Sequence, residues 1–177
     1  MKKLVLSDID NYLMLSRGEH YSANMFKRLI TMISPRMLPV LFVRISTSNL
    51  PIINRIFSII NVMLFGIEVN SQCQIGRGLF LPHTSGTVIG AREIGDNCTI
   101  FQGVTLGAKN LDFSNADDKR PVIGNNVTIG AGAKVLGGIS IGNNVKIGAN
   151  TVVTKSIPDG KTVIGSKATI IGSGDDE

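Results

Sequence analysis

Of the two histidines in the sequence, His83 stands where a side chain can do chemistry. It follows Leu81-Pro82 and precedes the turn-forming run Thr84-Ser85-Gly86, at a point where an otherwise regular apolar spacing gains one residue. An imidazole on such a corner titrates near neutrality and can act as a general base. It can equally be a solvated corner residue, and spacing alone leaves both readings open. The carboxylate able to orient it is Glu68, fifteen residues earlier. A coil of the repeat described below takes about eighteen residues, so Glu68 is expected in the coil beside His83. His20 has no evident carboxylate partner in the sequence and reads as structural or exposed.

Other chemistries are poorly supplied. One available histidine and no clustered thiolates cannot make a zinc centre, so no metal is expected. No phosphate-binding glycine loop, dinucleotide fingerprint or nucleophile elbow occurs. Cys73 and Cys98 fall at repeat positions that want a small apolar residue and read as inert core thiols.

The element that must position these residues is a six-residue repeat. Ile123, Ile129, Val135, Ile141, Ile147 and Val153 recur every sixth position, and Gly124, Gly130, Gly142 and Gly148 follow four of them. A helix needs a period near 3.6 and a half-buried strand needs two, so this spacing fits neither. It is the signature of a hexapeptide β-helix, an all-β solenoid in which each hexad forms a short strand and a turn. Gly124-Asn125-Asn126 and Gly142-Asn143-Asn144 are expected to supply the positive-φ corners. Upstream, Ile75, Leu81, Val88, Ile94, Ile100 and Leu106 keep the step approximately. From Leu106 to Ile123 is seventeen residues, five out of register after two hexads, and the polar stretch 109–120 is read as an ejected loop. The chain is expected to leave the prism at Ser156–Gly160 and to add one strand at Lys161–Ile164, in all about four to five coils.

Charge divides the chain in two. Residues 1–65 hold eight Lys and Arg against three Asp and Glu, while residues 66–177 hold ten of each. The repeat has no basic stripe, which argues against a nucleic-acid partner. Residues 4–34 read as helical with Ser7 as a cap, and Ile52–Phe65 as a further helix stopping at Gly66. These helices either pack on the end of the solenoid or form a peripheral membrane foot with Arg28, Arg36, Arg44 and Arg55 at headgroups. No charge-free stretch is long enough to span a bilayer and no secretory signal is read, so a cytoplasmic place, peripheral at the inner membrane face, is expected. The organisation expected is 1–65 as a helical capping or docking segment, 66–172 as the repeat domain with an extruded loop at 108–122, and 173–177 as a disordered tail.

The runs Ile75–Gly90, Gln102–Gly107, Ile129–Gly137 and Ile147–Lys155 resemble the serine O-acetyltransferase branch of the hexapeptide-repeat acyltransferases. In layout the chain is similar to short O-acetyltransferases of the polysaccharide, colanic-acid type. The resemblance implies a left-handed parallel β-helix with a short N-terminal α-helical segment, and a homotrimer that binds acetyl-CoA between subunits. It implies His83 as the base that deprotonates an acceptor hydroxyl and Glu68 as the carboxylate that holds it. Gly107 and Ala108 match backbone positions near the thioester. Ala131, Ala149, Thr154 and Lys155 match positions along the pantetheine and nucleotide arm.

Two departures bear on the acceptor. Serine acetyltransferases carry Asp immediately before the catalytic His, where this chain has Pro82, and an Arg-His-Pro run where it has Lys119-Arg120-Pro121. Lys119 and Arg120 are therefore the expected acceptor-binding residues. The expected function is O-acetylation of a sugar hydroxyl in exopolysaccharide or capsule synthesis. The alternative is a serine O-acetyltransferase of cysteine biosynthesis, and a third reading is a non-catalytic assembly module.

Overall fold

The computed structural model describes residues 1–18, 23–110 and 117–166. His20, the middle of the expected loop and the expected disordered tail lie outside the described residues. Four helices come first: α1 (Lys2–Arg17), α2 (Met25–Met32), α3 (Leu38–Ser46) and α4 (Pro51–Phe65). The strands are β1 (Ile67–Val69), β2 (Gln74–Ile75), β3 (Thr87–Ile89), β4 (Glu93–Ile94), β5 (Thr99–Ile100) and β6 (Thr105–Gly107). After a 3₁₀ turn at Asp117–Lys119 come β7 (Val122–Ile123), β8 (Thr128–Ile129), β9 (Lys134–Leu136), β10 (Ser140–Ile141), β11 (Lys146–Ile147), β12 (Val152–Val153) and β13 (Thr162–Val163).

The strands wind around three parallel sheets, β1-β3-β6-β9-β12, β2-β4-β7-β10 and β5-β8-β11-β13, called here the first, second and third faces. Register stacks one aliphatic residue per coil. Val69, Ile89, Leu106, Val135 and Val153 form one column, Ile75, Ile94, Ile123 and Ile141 another, and Ile100, Ile129, Ile147 and Val163 the third. Nearly all of these side chains are buried, as the six-residue spacing predicts. Val88 is an exception to the reading: it pairs with Glu68 on the outer row, and the inward residue is Ile89. The alternation of a strand allows only every second residue inward, and Thr87 and Ile89 take those places.

The corners show why the repeat carries Asn and Gly. Asn97, Asn126 and Asn144 adopt φ of 57°, 56° and 57°, so Asn supplies the left-handed residue in the two turns where the sequence pattern expects it. The glycines before them serve close stacking instead. A Cβ on Gly124 would lie 2.8 Å from the Gly142 carbonyl carbon. The same corners are tied by side chains. The N–H of Arg77 donates to Asp96, that of Asp96 to Asn125, that of Asn125 to Asn143 and that of Asn143 to Asp159, at 2.7–2.9 Å. Asn143 also donates its Nδ2 to Asp159 at 3.1 Å, and this side-chain bond, with the backbone one, holds the Asp159 carboxyl below its usual value.

Three further expectations need correction. Leu106 and Ile123 lie on adjacent faces, so one hexad, rather than two, is stretched to seventeen residues. The chain does not leave the prism at Ser156–Gly160, because Ile157 is buried and bridges Ile141 in the second column. At the other end, α1 starts at Lys2 with the Leu4 and Val5 N–H groups donating to the Met1 carbonyl, so Ser7 lies inside the helix and caps nothing. Pro39 falls in the first turn of α3, where a missing N–H costs nothing, which is why it does not interrupt the apolar stretch.

The first coil would present open backbone and an uncovered core, and α1 and α3 close it. Asp8 and Arg44 form a bidentate pair at 2.7 and 2.8 Å, almost fully buried. Arg44 also donates to the carbonyls of Ile75 and Gly76, at 2.7 and 2.5 Å, and Asp8 accepts the Leu79 N–H at 2.8 Å. Asn11 adds a bond to the Gly78 carbonyl. Arg44 is thus committed to this clip and is not a headgroup ligand. Burial pushes the Asp8 carboxyl up from its ordinary value, and the hydrogen bonds and charge of Arg44 oppose that shift. Among the described residues no helix is long and apolar enough to cross a membrane.

Two outcomes follow. Asp8→Asn leaves Arg44 buried without its counter-charge and should cost about 3–5 kcal/mol of stability, read from the denaturation midpoint. A cycle with Arg44→Met should be non-additive by about 0.5–3 kcal/mol; strict additivity would mean the pair is not a unit. Burial pushes the Cys73 thiol up to about 12 and the Cys98 thiol up to about 11. The reactive thiolate is therefore scarce at pH 8, and an aromatic disulfide reagent should label neither residue until the protein unfolds.

Candidate functional site

The passages from the third face to β3, β6, β9 and β12 of the first each turn on a left-handed residue. Gly86, Gly103, Gly132 and Asn150 have φ of 73°, 68°, 70° and 55° there, and Gly66, which ends α4 before β1, joins the stack with φ of 64°. Their backbones are joined by Gly86 N–H to Gly66 carbonyl and Gly103 N–H to Ser85 carbonyl, both at 3.0 Å. In later coils six residues cover this corner, from Ile100 to Leu106, Ile129 to Val135 and Ile147 to Val153. From buried Leu81 to buried Ile89 the chain uses eight. The excess bulges outward between Pro82 and Ser85, and His83 on it is exposed. The following step, Ile89 to Ile94, takes only five, so the sequence spacing shows a net gain of one.

Glu68 is also exposed and lies on the outer row of the first face, Glu68–Val88–Thr105–Lys134–Val152. Its cross-strand neighbour Val88 is five residues beyond His83. Glu68 and His83 therefore occupy adjoining coils, as the fifteen-residue separation predicts. Among the described residues neither makes a side-chain hydrogen bond or ion pair within one chain. Further along the row the Lys134 ammonium donates to the Gly103 carbonyl at 2.5 Å and to Thr105 Oγ1 at 3.1 Å.

The other edge of the first face holds two clefts. One, of about 230 Å³, is lined by Glu68, Asn70, Gly90, Gly107 and Arg120 among others. Arg120 Nη1 donates to the Gly90 carbonyl at 2.9 Å, which sets the guanidinium over β3 and β6. The second, of about 410 Å³, brings together Ala108, Lys119, Gly137, Gly138 and Thr154. Here the end of the long loop returns against the solenoid. A Cβ on Gly138 would run into the Asp118 carbonyl, so only glycine admits the return. Gly90, Gly138 and Asn70 were not singled out by sequence reasoning. For Gly138 the signal was present as the pair Gly137-Gly138 where the pattern asks for a single turn residue.

The expected residues therefore divide into two groups. His83, Ala131 and Ala149 lie on the corner entering the first face, and Gly107, Ala108, Lys119, Arg120, Thr154 and Lys155 on the corner leaving it. Ala131 is half-buried with its carbonyl accepting the Asn150 N–H at 2.8 Å, while Ala149, Thr154 and Lys155 are exposed. Glu68 stands on the face between them, whose strand β6 ends at Gly107. Among the described residues no three His, Cys, Asp or Glu side chains gather as metal ligands.

The repeat matches the pattern of bacterial transferase hexapeptides (six repeats) over residues 120–155. A serine acetyltransferase of Synechococcus elongatus is 44% identical over 124 residues, covering 70% of this chain and 50% of that protein. The crystal structure of a serine acetyltransferase from Brucella abortus superposes with a TM-score of 0.72 at 30% identity, over 94% of this chain and 67% of that one. A serine acetyltransferase in complex with CoA gives 0.72 at 26% identity, over 94% and 68%. The chain spans about half the length of the Synechococcus relative. A three-faced parallel solenoid with stacked hexads, matched both in sequence and along nearly its whole fold, places this chain among the hexapeptide-repeat transferases, as a left-handed parallel β-helix with short N-terminal helices.

Proposed function

We propose that this protein transfers the acetyl group of acetyl-CoA to an acceptor hydroxyl, with His83 as general base. The observation that carries the reading is the bulged corner that exposes the one histidine of the solenoid, in a chain whose sequence relatives are serine acetyltransferases. The imidazole takes the acceptor proton as the hydroxyl oxygen attacks the thioester carbonyl. The C–S bond then breaks, and the departing thiolate recovers the proton from the imidazolium. Glu68 orients the ring and offsets the charge that develops on it. A peptide N–H near Gly107 and Ala108 would face the oxyanion. Small Ala131 and Ala149 let a long pantetheine arm lie against the coil, and Lys155 would meet a phosphate of the nucleotide.

The division of these residues between two edges of one face supports a homotrimer. In a three-fold ring the entering corner of one copy can meet the leaving corner of the next, closing a groove between them. One chain alone leaves the two groups on opposite sides of the outer row.

For the acceptor, the relatives favour L-serine over the sugar hydroxyl expected from the sequence. One local feature favours the sugar: Pro82 has no charge with which to grip an ammonium group. Arg120 would hold a carboxylate in the first reading and a glycan oxygen in the second.

Two measurements test this. Following free thiol from acetyl-CoA with L-serine or with an oligosaccharide as acceptor should show turnover with serine; turnover with the glycan alone would reverse the assignment. His83→Ala should lower kcat by ~10²–10⁴ while leaving the assembly mass unchanged, and full activity in that variant would refute the mechanism.

A further inference from the structure

Helix α4 is built inside out. Its inward face mixes Asn54, Ser58 and Asn61 with Phe57 and Phe65, whereas Ile52, Ile56, Ile59 and Met63 form a stripe on the opposite side. Those four residues are 75%, 49%, 55% and 78% exposed. Asn61 is fully buried, with neither polar side-chain atom partnered among the described residues. A helix of a water-soluble surface has the reverse pattern. Helix α2 shows the same character: Phe26, Ile30 and Ile33 recur at helical spacing and are all more than half exposed. Met25, Leu29 and Met32 line an apolar cavity of about 330 Å³ between α2, α1 and α3, with Lys2 and Arg28 also on its wall.

Charge indicates what covers this surface. Between His20 and Ile67 the chain has five cations and no Asp or Glu. Arg44 is consumed by Asp8, and Arg28 pairs with Asp10 at 2.9 Å. Arg36 and Arg55, together with Lys2 and Lys3, remain exposed. We propose that α2 and α4 form a peripheral foot that seats this protein on an anionic lipid surface, with the apolar stripes in the interface and these cations at the headgroups. A contact between two copies of α4 would bring together helices that each carry Arg55 and no Asp or Glu to answer it, whereas an anionic bilayer supplies the missing charge. The inference stands on the N-terminal helices and does not depend on the acetyl-transfer reading.

The full chain should sediment with vesicles of phosphatidylcholine and phosphatidylglycerol, less with phosphatidylcholine alone, and less again at high salt. Arg55→Glu at its exposed position should lower the partition coefficient about tenfold or more. Ile56→Glu with Met63→Glu should abolish binding without changing the mass in solution or the helical circular dichroism. The proposal fails if neither vesicle binds the protein, or if binding is indifferent to lipid charge and salt. It fails also if the Ile56 and Met63 substitutions change the oligomer mass and spare vesicle binding, which would give the stripe to a second copy.

Discussion

Each strand of this solenoid is two or three residues long, too short to hold on its own, and its backbone groups find partners only in the coils above and below. The rest of the structure answers to that constraint. Aliphatic residues must stack in three columns because the coils can pair only when their inward residues coincide. Corners must turn within two or three residues, which selects Asn and Gly in the left-handed region. A coil at the end of the stack has no neighbour, so something else must cover it. At the first coil that task falls to Asp8 and Arg44, which reach from two helices to the carbonyls and N–H of residues 75–79.

The same constraint explains why nearly all the candidate residues, Glu68 apart, sit at the corners. A residue added to a face would flip the strand's inward set to solvent, while a residue added at a corner only bulges. The bulge before β3 exposes His83 and the long insertion after β6 carries Lys119 and Arg120 back to the surface. The intervening face keeps a strict register, so its outer row, from Glu68 to Val152, is a fixed rail between the two groups. A single copy holds the parts of the proposed site at fixed spacing without closing it.

The N-terminal helices divide their work. Helices α1 and α3 seal the solenoid through a buried ion pair and mixed apolar contacts. Helix α4 packs on α3 through Phe57 and Phe65, edge-on to Phe42 at 5.0 and 5.7 Å, and turns its isoleucines outward. The basic excess of the first 65 residues is therefore not one property. Arg44 is structural and buried, Arg28 is paired with Asp10, and Lys2, Lys3, Arg36 and Arg55 are exposed.

The repeat was legible in the sequence because a hexapeptide solenoid is a local rule repeated: each hexad carries its own inward aliphatic residue and its own corner. From that rule the sequence by itself determined the three columns, the inert cysteines and the coil separation of Glu68 and His83. It misplaced Val88, because a gain of two and a loss of one within two corners leave the same count as other combinations, and only paired strands tell which residue turns inward. It let Ile157 out of the prism because Pro158 and Asp159-Gly160 look like an exit, though the column above Ile141 still has room. Arg44 looked like any other cation of a basic segment. Only the tertiary structure brought it against Asp8, thirty-six residues away, since long-range burial leaves no period to read. The distribution of the candidate residues over two edges of one face was likewise decided in three dimensions, where corners seventeen or more residues apart in the chain become neighbours in space.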